Sequence, residues 1–368
     1  SEEKLNALET QLIPTAQVNE PKLVMQKKSL TLLEKRKKLA ENKKQENREK
    51  QNLKSINPSE AEINNLLQHY QNGKYGDAEK LAVYITQEFP KHQFAWKVLG
   101  AVLKQTGRIS ESLVASQKSV QLAPQDVDAY YNLGNTFKEL GRLEEAEASY
   151  SQAVAVKPDY AKAHNNLGIT LQELGRLKEA EASYRQAIAV KSDYALAHHN
   201  LGLMLKKFGR LDEAEASYTQ AIVLKPGYAE AYNSLGVTLQ ELGRLKEAEA
   251  SYLQAIAVKS DYALAYYNLG VTLQELGRLD EAEASYTQAL ALKPDYAEAH
   301  NSLLRCLYLL DKQSLFFDKL DYLINEDTAN ASIGSLTCRS ALKYGVEKPN
   351  LFCRKPLQYV SHIDMNTQ

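Results

Sequence analysis

The sequence predicts an all-α solenoid of tandem helix–turn–helix units, and three observations carry that expectation. Glycine recurs at a fixed interval of 34 residues, as Gly100, Gly134, Gly168, Gly202, Gly236 and Gly270. A second set, Gly107, Gly141, Gly175, Gly209, Gly243 and Gly277, keeps the same step. Apolar residues within each interval follow the spacing of a helix face. A period of this length marks a repeat architecture, in which each unit buries its apolar face against its neighbours.

Counted from seven residues before the first glycine, regular units run 93–126, 127–160, 161–194, 195–228, 229–262 and 263–296. A worn unit precedes them at 59–92, and a divergent one runs 297–325. In the first helix of each unit, position 7 is Leu (Leu99, Leu133, Leu167, Leu201, Leu235, Leu269, Leu303) and position 11 is apolar. With position 4 these form a stripe at i, i+3, i+7. The helix ends at a Gly-Arg pair, where glycine supplies the left-handed residue of a helix C-terminus. The second helix opens with acidic residues such as Glu144 and Glu145, which suit the positive end of the helix dipole. It usually stops at Pro124, Pro158, Pro226 or Pro294.

Small residues at fixed places predict how the helices interlock. Glycine at position 8 and alanine at positions 20 and 27 leave room for close approach. Tyr150, Tyr184, Tyr218, Tyr252 and Tyr286 at position 24 fill that room. The segment 177–197 recurs at 245–265 with one change, Arg185 to Leu253, which points to duplication of a 68-residue pair of units. Beyond the repeats, Ile333–Tyr344 reads as a closing helix within a capping segment 326–345, because the last unit of a solenoid exposes an apolar face.

The pattern Tyr130…Leu133-Gly134…Ala146…Tyr150…Ala153…Pro158 resembles the tetratricopeptide repeat, and the resemblance covers residues 59–325. Ser192 and Ser260 in place of proline, Ser112 and Ser116 in the 93–126 unit, and Asn65-Leu66 for Leu-Gly are its departures. The resemblance implies a right-handed superhelical α-solenoid whose first helices line a concave face and bind a protein or peptide, with positions 2, 5, 6, 9, 12 and 13 open to ligand. At position 6 stand Asn132, Asn166, Asn200, Ser234, Asn268 and Ser302, an arrangement similar to the asparagine ladder of O-linked N-acetylglucosamine transferases. An asparagine amide both donates and accepts, so it can pair with the backbone of an extended peptide. Selectivity is then expected from position 5 (Tyr131, Asn165, His199, Asn233, Tyr267) and position 12 (Lys138, Gln172, Lys206, Gln240, Gln274).

Catalysis finds little support in these residues. No Gly-rich phosphate loop, HExxH or Ser/His/Asp order is present, and no cofactor or metal is expected. His164, His198 and His300 occupy position 4, where Trp96 or Tyr130 packs in other units. His362-Ile363-Asp364 matches half of a two-His-one-carboxylate iron site, but three residues match by chance. The segment 346–368 resembles the linker by which bacterial repeat arrays join a catalytic domain, so the second expectation is the substrate-recognition arm of a 2-oxoglutarate/iron oxygenase or a glycosyl- or sulfotransferase. A start at Ser1 and an end at Gln368 fit a truncated chain on this reading.

Charge argues against other classes. Forty-five basic and 46 acidic residues leave a net charge of −1, with no global field for nucleic acid or an anionic membrane. Of 22 tyrosines, 15 fall at repeat positions 4, 5, 24 or 34, which makes them packing residues rather than base-stacking platforms. Residues 1–58 carry a basic surplus and read as a solvated tether or loose charged helix. Cys306, Cys338 and Cys353 form no disulfide framework, which predicts a reducing, cytoplasmic setting. Self-association through an end repeat is a further expectation.

Overall fold

A computed structural model describes residues 41–44, 57–325, 331–346 and 348. Among them there is no strand, and the chain forms two compact units, Ser1–Pro124 and Gln125–Gln368. The first holds α1 (Glu60–Gln71), α2 (Tyr75–Glu88), α3 (Gln93–Gln105) and α4 (Ile109–Leu122). The second holds α5 (Val127–Glu139), α6 (Leu143–Val156), α7 (Ala161–Glu173), α8 (Leu177–Val190), α9 (Ala195–Lys207) and α10 (Leu211–Leu224). It continues with α11 (Ala229–Glu241), α12 (Leu245–Val258), α13 (Ala263–Glu275), α14 (Leu279–Leu292), α15 (Ala297–Leu309), α16 (Gln313–Asn325) and α17 (Ala331–Tyr344). The boundary between the units falls at the end of the repeat in which Ser112 and Ser116 stand for alanine and tyrosine. The architecture is an α-solenoid, as the spacing of the glycines predicts.

The turn inside each repeat is built as expected. Gly141 has φ +70° and Gly175 φ +77°, a conformation that only glycine enters without a Cβ penalty. The following arginine N–H closes onto the carbonyl five residues back, as in Arg142 N to Phe137 O at 2.9 Å, while Gly141 N reaches Lys138 O at 2.9 Å. This pair of bonds is the Schellman arrangement that satisfies the last carbonyls of a helix. In the divergent repeat Asp311 takes over at φ 59°, one of the few side chains that tolerate this region.

The second helices α4, α6, α10 and α14 end two residues ahead of Pro124, Pro158, Pro226 and Pro294, as expected, but proline is not required. α8 and α12 end at Val190 and Val258 ahead of Ser192 and Ser260, in the same register as α6 ahead of Pro158. The turn is held by hydrogen bonds instead: Tyr160 N to Lys157 O at 3.1 Å and Tyr194 N to Lys191 O at 3.1 Å. Position 4 adds a side-chain tie. Trp96 Nε1 donates to Pro90 O at 2.9 Å, and the Nε2 atoms of His164, His198 and His300 meet the carbonyls of Pro158, Ser192 and Pro294 at 2.8, 3.0 and 2.7 Å. The position-4 histidines are therefore turn anchors as well as packing residues.

Large against small decides the core. A Cβ added to Gly202 or Gly236 would lie 2.6 Å from the ring of Tyr218 or Tyr252, and all five position-24 tyrosines are buried. The worn repeat inverts the pair, with buried Leu66 at position 8 and buried Ala82 at position 24. On the outer side Arg176 bridges Glu179 and Glu147, Arg210 bridges Glu213 and Glu181, and Arg244 bridges Glu247 and Glu215. Each of these pairs is solvent-accessible and individually weak; their value lies in repeating one register. At the C-terminal end, Phe316, Leu320, Leu323 and Leu336 share a core cluster, and Lys343 of α17 pairs with Asp311 at 2.9 Å. α17 thus packs its Leu336 against the side chains of α16.

Candidate functional site

In an α-helix, residues 2, 6, 9 and 13 of each repeat share one face, with 5 and 12 on its flanks. The structure sorts these rows into different roles. At position 6, Asn166 Nδ2 donates to Tyr131 Oη at 3.2 Å and to Asn135 Oδ1 at 2.9 Å. Asn200 Nδ2 donates to Asn165 Oδ1 at 2.9 Å, and Asn268 Nδ2 to Asn233 Oδ1 at 3.0 Å. Asn165 Nδ2 in turn donates to Asn166 Oδ1 at 3.3 Å, so one directional relay links α9, α7 and α5. The donor half of these amides is spent on joining neighbouring repeats. Asn132, Ser234 and Ser302 are half-buried on the same face, and Ser234 Oγ lies 3.2 Å from His199 Nε2.

Position 5 departs from the expectation that it supplies selectivity by direct contact. Asn165, His199 and Asn233 are buried, and over His199 the position-24 and position-34 tyrosines close. The His199 ring packs at 5.6 Å from Tyr218 and 5.0 Å from Tyr228. Tyr131 and Tyr267 are half-buried in the equivalent cages of Tyr150 with Tyr160 and of Tyr286 with Tyr296. Burial lowers the pKa of His199 and favours its neutral form. The row shapes the wall from behind.

Position 12 reaches sideways to the next repeat. Lys138 pairs with Glu173 at 3.2 Å, Lys206 with Glu241 at 2.9 Å, and Gln240 Nε2 donates to Glu275 at 2.9 Å. Gln172 and Gln240 also accept from the phenols of Tyr184 and Tyr252 at 3.1 and 3.2 Å. Gln274, oriented with its Nε2 toward Tyr286 Oη, accepts from Arg305 Nη2 at 2.6 Å. The repeat 195–228 breaks the series. With Lys206 turned to Glu241 and Leu203 at position 9, the buried Tyr218 hydroxyl has no hydrogen-bond partner.

The open surface lies at positions 2 and 9, to which the sequence alone assigned no residues. Ile169, Leu203, Val237 and Val271 run down position 9, and Leu196 and Leu264 stand at position 2. Leu196, Leu203 and Leu264 are each 40% exposed, too open for core residues. A cleft of about 340 Å³ between α13 and α15 is walled by Tyr267, Val271, Gln274, Glu275, Tyr286, Glu298, Asn301, Ser302 and Arg305. It gathers three of the predicted positions, Tyr267, Gln274 and Ser302. The i, i+7 spacing of Leu196 with Leu203, and of Leu264 with Val271, is the signal that could have revealed the aliphatic rows.

No group of metal-ligating side chains assembles among the described residues, and no helix among them is long and apolar enough to cross a membrane. Cys306 and Cys338 are buried, with the Cys306 thiol pushed up to about 11 by burial. The basic segment 1–58, apart from 41–44 and 57–58, lies outside the described residues, as do Cys353 and His362-Ile363-Asp364.

Models of the tetratricopeptide repeat match residues 159–222, 193–261 and 229–295, and related repeat models match 134–175 and 115–148. The chain carries a tetratricopeptide-repeat array. No curated protein matches the sequence. Among solved structures, the tetratricopeptide-repeat array is similar to the anaphase-promoting-complex Cut9–Hcn1 heterotetramer, at 18% identity and TM-score 0.55, over 66% of this chain and 48% of that one. A tetratricopeptide repeat protein from Parabacteroides merdae matches at 17% identity and TM-score 0.53, over 67% and 98%. Pseudomonas aeruginosa pilF matches at 20% identity and TM-score 0.51, over 56% and 94%. The chain thus spans about half the length of the first of these, and the likenesses establish the fold. A protein-interaction scaffold is the general function that this repeat fold supports.

Proposed function

We propose that the face formed by α5, α7, α9, α11, α13 and α15 binds an extended polypeptide segment of a partner protein. The observation that carries this reading is the exposure of Leu203, with Leu196 and Leu264, on the same face as the half-buried amides Asn200 and Asn268. Aliphatic side chains in water beside a fixed polar register serve recognition rather than folding. The direction of the amide relay holds successive helices in step, so a bound segment meets a preformed surface and loses little free energy to ordering it.

The reading is tested by selecting 15-residue peptides from a displayed random library on the full chain and measuring their affinities for variants. Leu203→Glu is expected to weaken the selected peptides at least tenfold. Leu253→Glu, at an exposed outer position, is expected to leave them unchanged. Selected peptides that bind Leu203→Glu as tightly as the parent overturn the proposal.

A further inference from the structure

The duplicated pair of repeats leaves an alternation on this face that its parts do not need for folding. Position 2 reads Lys162, Leu196, Glu230, Leu264 and Glu298 on successive inner helices. Leu196 and Leu264 are exposed, and each is continued about two helical turns onward, at i+7, by Leu203 or Val271. The helices that alternate with them, α11 and α15, present carboxylates at the same level. Glu298 has no ion pair among the described residues, and Glu230 has only Lys259 at the edge of pairing distance, 4.0 Å. The surroundings reinforce the sign: from 125 to 325 there are 28 acidic and 20 basic side chains.

Packed helices lie about 10 Å apart, and the position-6 to position-5 bonds tie adjacent inner helices at that range. The two leucine rungs are then separated by about 20 Å, which an extended chain in the polyproline-II conformation covers in about six residues at roughly 3.1 Å each, with every third side chain on the same side. Glu230 lies halfway. We propose that the face selects an extended segment with an aliphatic residue at every sixth position and a lysine or arginine midway between, the aliphatic side chains seated on Leu196 and Leu264 and the cations facing Glu230 and Glu298. Lys162 on α7 confines the cationic preference to the α11–α15 half. Arg305, engaged by Gln274, sits at position 9, about two helical turns from Glu298. This specificity rests on the reading that the inner face binds polypeptide.

The test uses the full chain and two fluorescein-labelled 13-residue peptides in a Ser/Thr background, with leucine at peptide positions 1, 7 and 13 and either lysine or glutamate at 4 and 10. Fluorescence anisotropy is expected to give the lysine peptide at least tenfold tighter binding, narrowing as salt screens the exposed pairs. Glu230→Lys with Glu298→Lys is expected to reverse the preference, and Leu196→Glu with Leu264→Glu to remove binding of both peptides. All four positions are exposed, so far-ultraviolet circular dichroism of the variants is expected to match the parent. Equal affinities for the two peptides, a preference that survives the charge reversal, or no binding of the lysine peptide overturns the proposal. If library peptides respond to Leu203→Glu while the lysine preference is absent, only the specificity fails. If no peptide responds to Leu203→Glu, the underlying reading fails with it.

Discussion

Five tyrosines share one register and one degree of burial, but not one hydrogen-bond environment, and the difference predicts opposite outcomes for the same substitution. Tyr184 and Tyr218 are 1% and 0% exposed, so replacement by phenylalanine leaves the ring packing in place. Tyr184 donates to Gln172 at 3.1 Å. Losing such a bond costs about 1 kcal/mol, with Gln172 half-buried and able to turn to water. The Tyr218 hydroxyl is buried without a partner, a state that costs about 1–3 kcal/mol and that phenylalanine relieves. Tyr218→Phe is therefore expected to stabilise the array by about 1 kcal/mol and Tyr184→Phe to destabilise it by about as much. That is a gap of roughly 2 kcal/mol, more than a factor of ten in an equilibrium constant. Urea unfolding of the full chain, followed by helical circular dichroism, reads the gap as a shift in midpoint at constant slope. Because stability in a solenoid is partly a local property, hydrogen exchange of α9 and α10 gives the same comparison at the site. A Tyr218→Phe variant that loses as much stability as Tyr184→Phe refutes the reasoning.

Gly236→Ala is expected to destabilise by about 1–2 kcal/mol: its Cβ would sit 2.6 Å from the buried Tyr252 ring, and overpacking of about 1–3 kcal/mol outweighs the helix-propensity gain of about 1 kcal/mol. The midpoint of urea unfolding checks it. Asn200→Ala removes the donor to buried Asn165 and should cost about 1–3 kcal/mol by leaving that acceptor unpaired, seen as a lower thermal midpoint. His199 is held neutral by burial, its pKa lowered in the folded chain. Its contribution is therefore full above about pH 6.5, the unfolded value, and is lost as pH falls toward the folded pKa. His199→Asn, which places there the residue found at 165 and 233, is expected to lose less thermal stability than the parent between pH 7 and 5.

Much of the fold was legible because its determinants are local or strictly periodic. The left-handed glycines, and the interlock of Gly202 with Tyr218 that recurs in each regular repeat, follow from one residue type at one spacing. The candidate site was less legible, for two physical reasons. Whether position 5 faces ligand depends on rings from two other segments, Tyr218 and Tyr228 around His199, which local spacing does not place. The partners of the position-6 amides lie 31–35 residues away, so a row that reads as free hydrogen-bonding capacity is half consumed by the neighbouring repeat. Leu196, Leu203 and Leu264 stand in solvent at positions 2 and 9, which the sequence reading left open to ligand without naming the residues there. The proline expectation holds where proline stands, and serine at 192 and 260 serves as well because the Lys-to-Tyr turn bond forms with either residue between.

The amide tie between repeats also bears on how the array can change length. Asn200 meets Asn165 and Asn268 meets Asn233 by the same atoms at nearly the same distance. Excising residues 195–262 would bring Tyr194 directly to Ala263, restoring the local text Ser-Asp-Tyr-Ala-Leu-Ala, and would set Asn268 opposite Asn165. Gln172 would face Glu275 as Gln240 does now, and Arg278 would inherit Glu181 from Arg210. Gain or loss of a whole 68-residue block therefore leaves each class of junction intact. An indel that is not a whole number of 34-residue repeats puts both the amides and the Arg–Glu pairs out of register, whereas the 68-residue block restores the same residue types at its new junction.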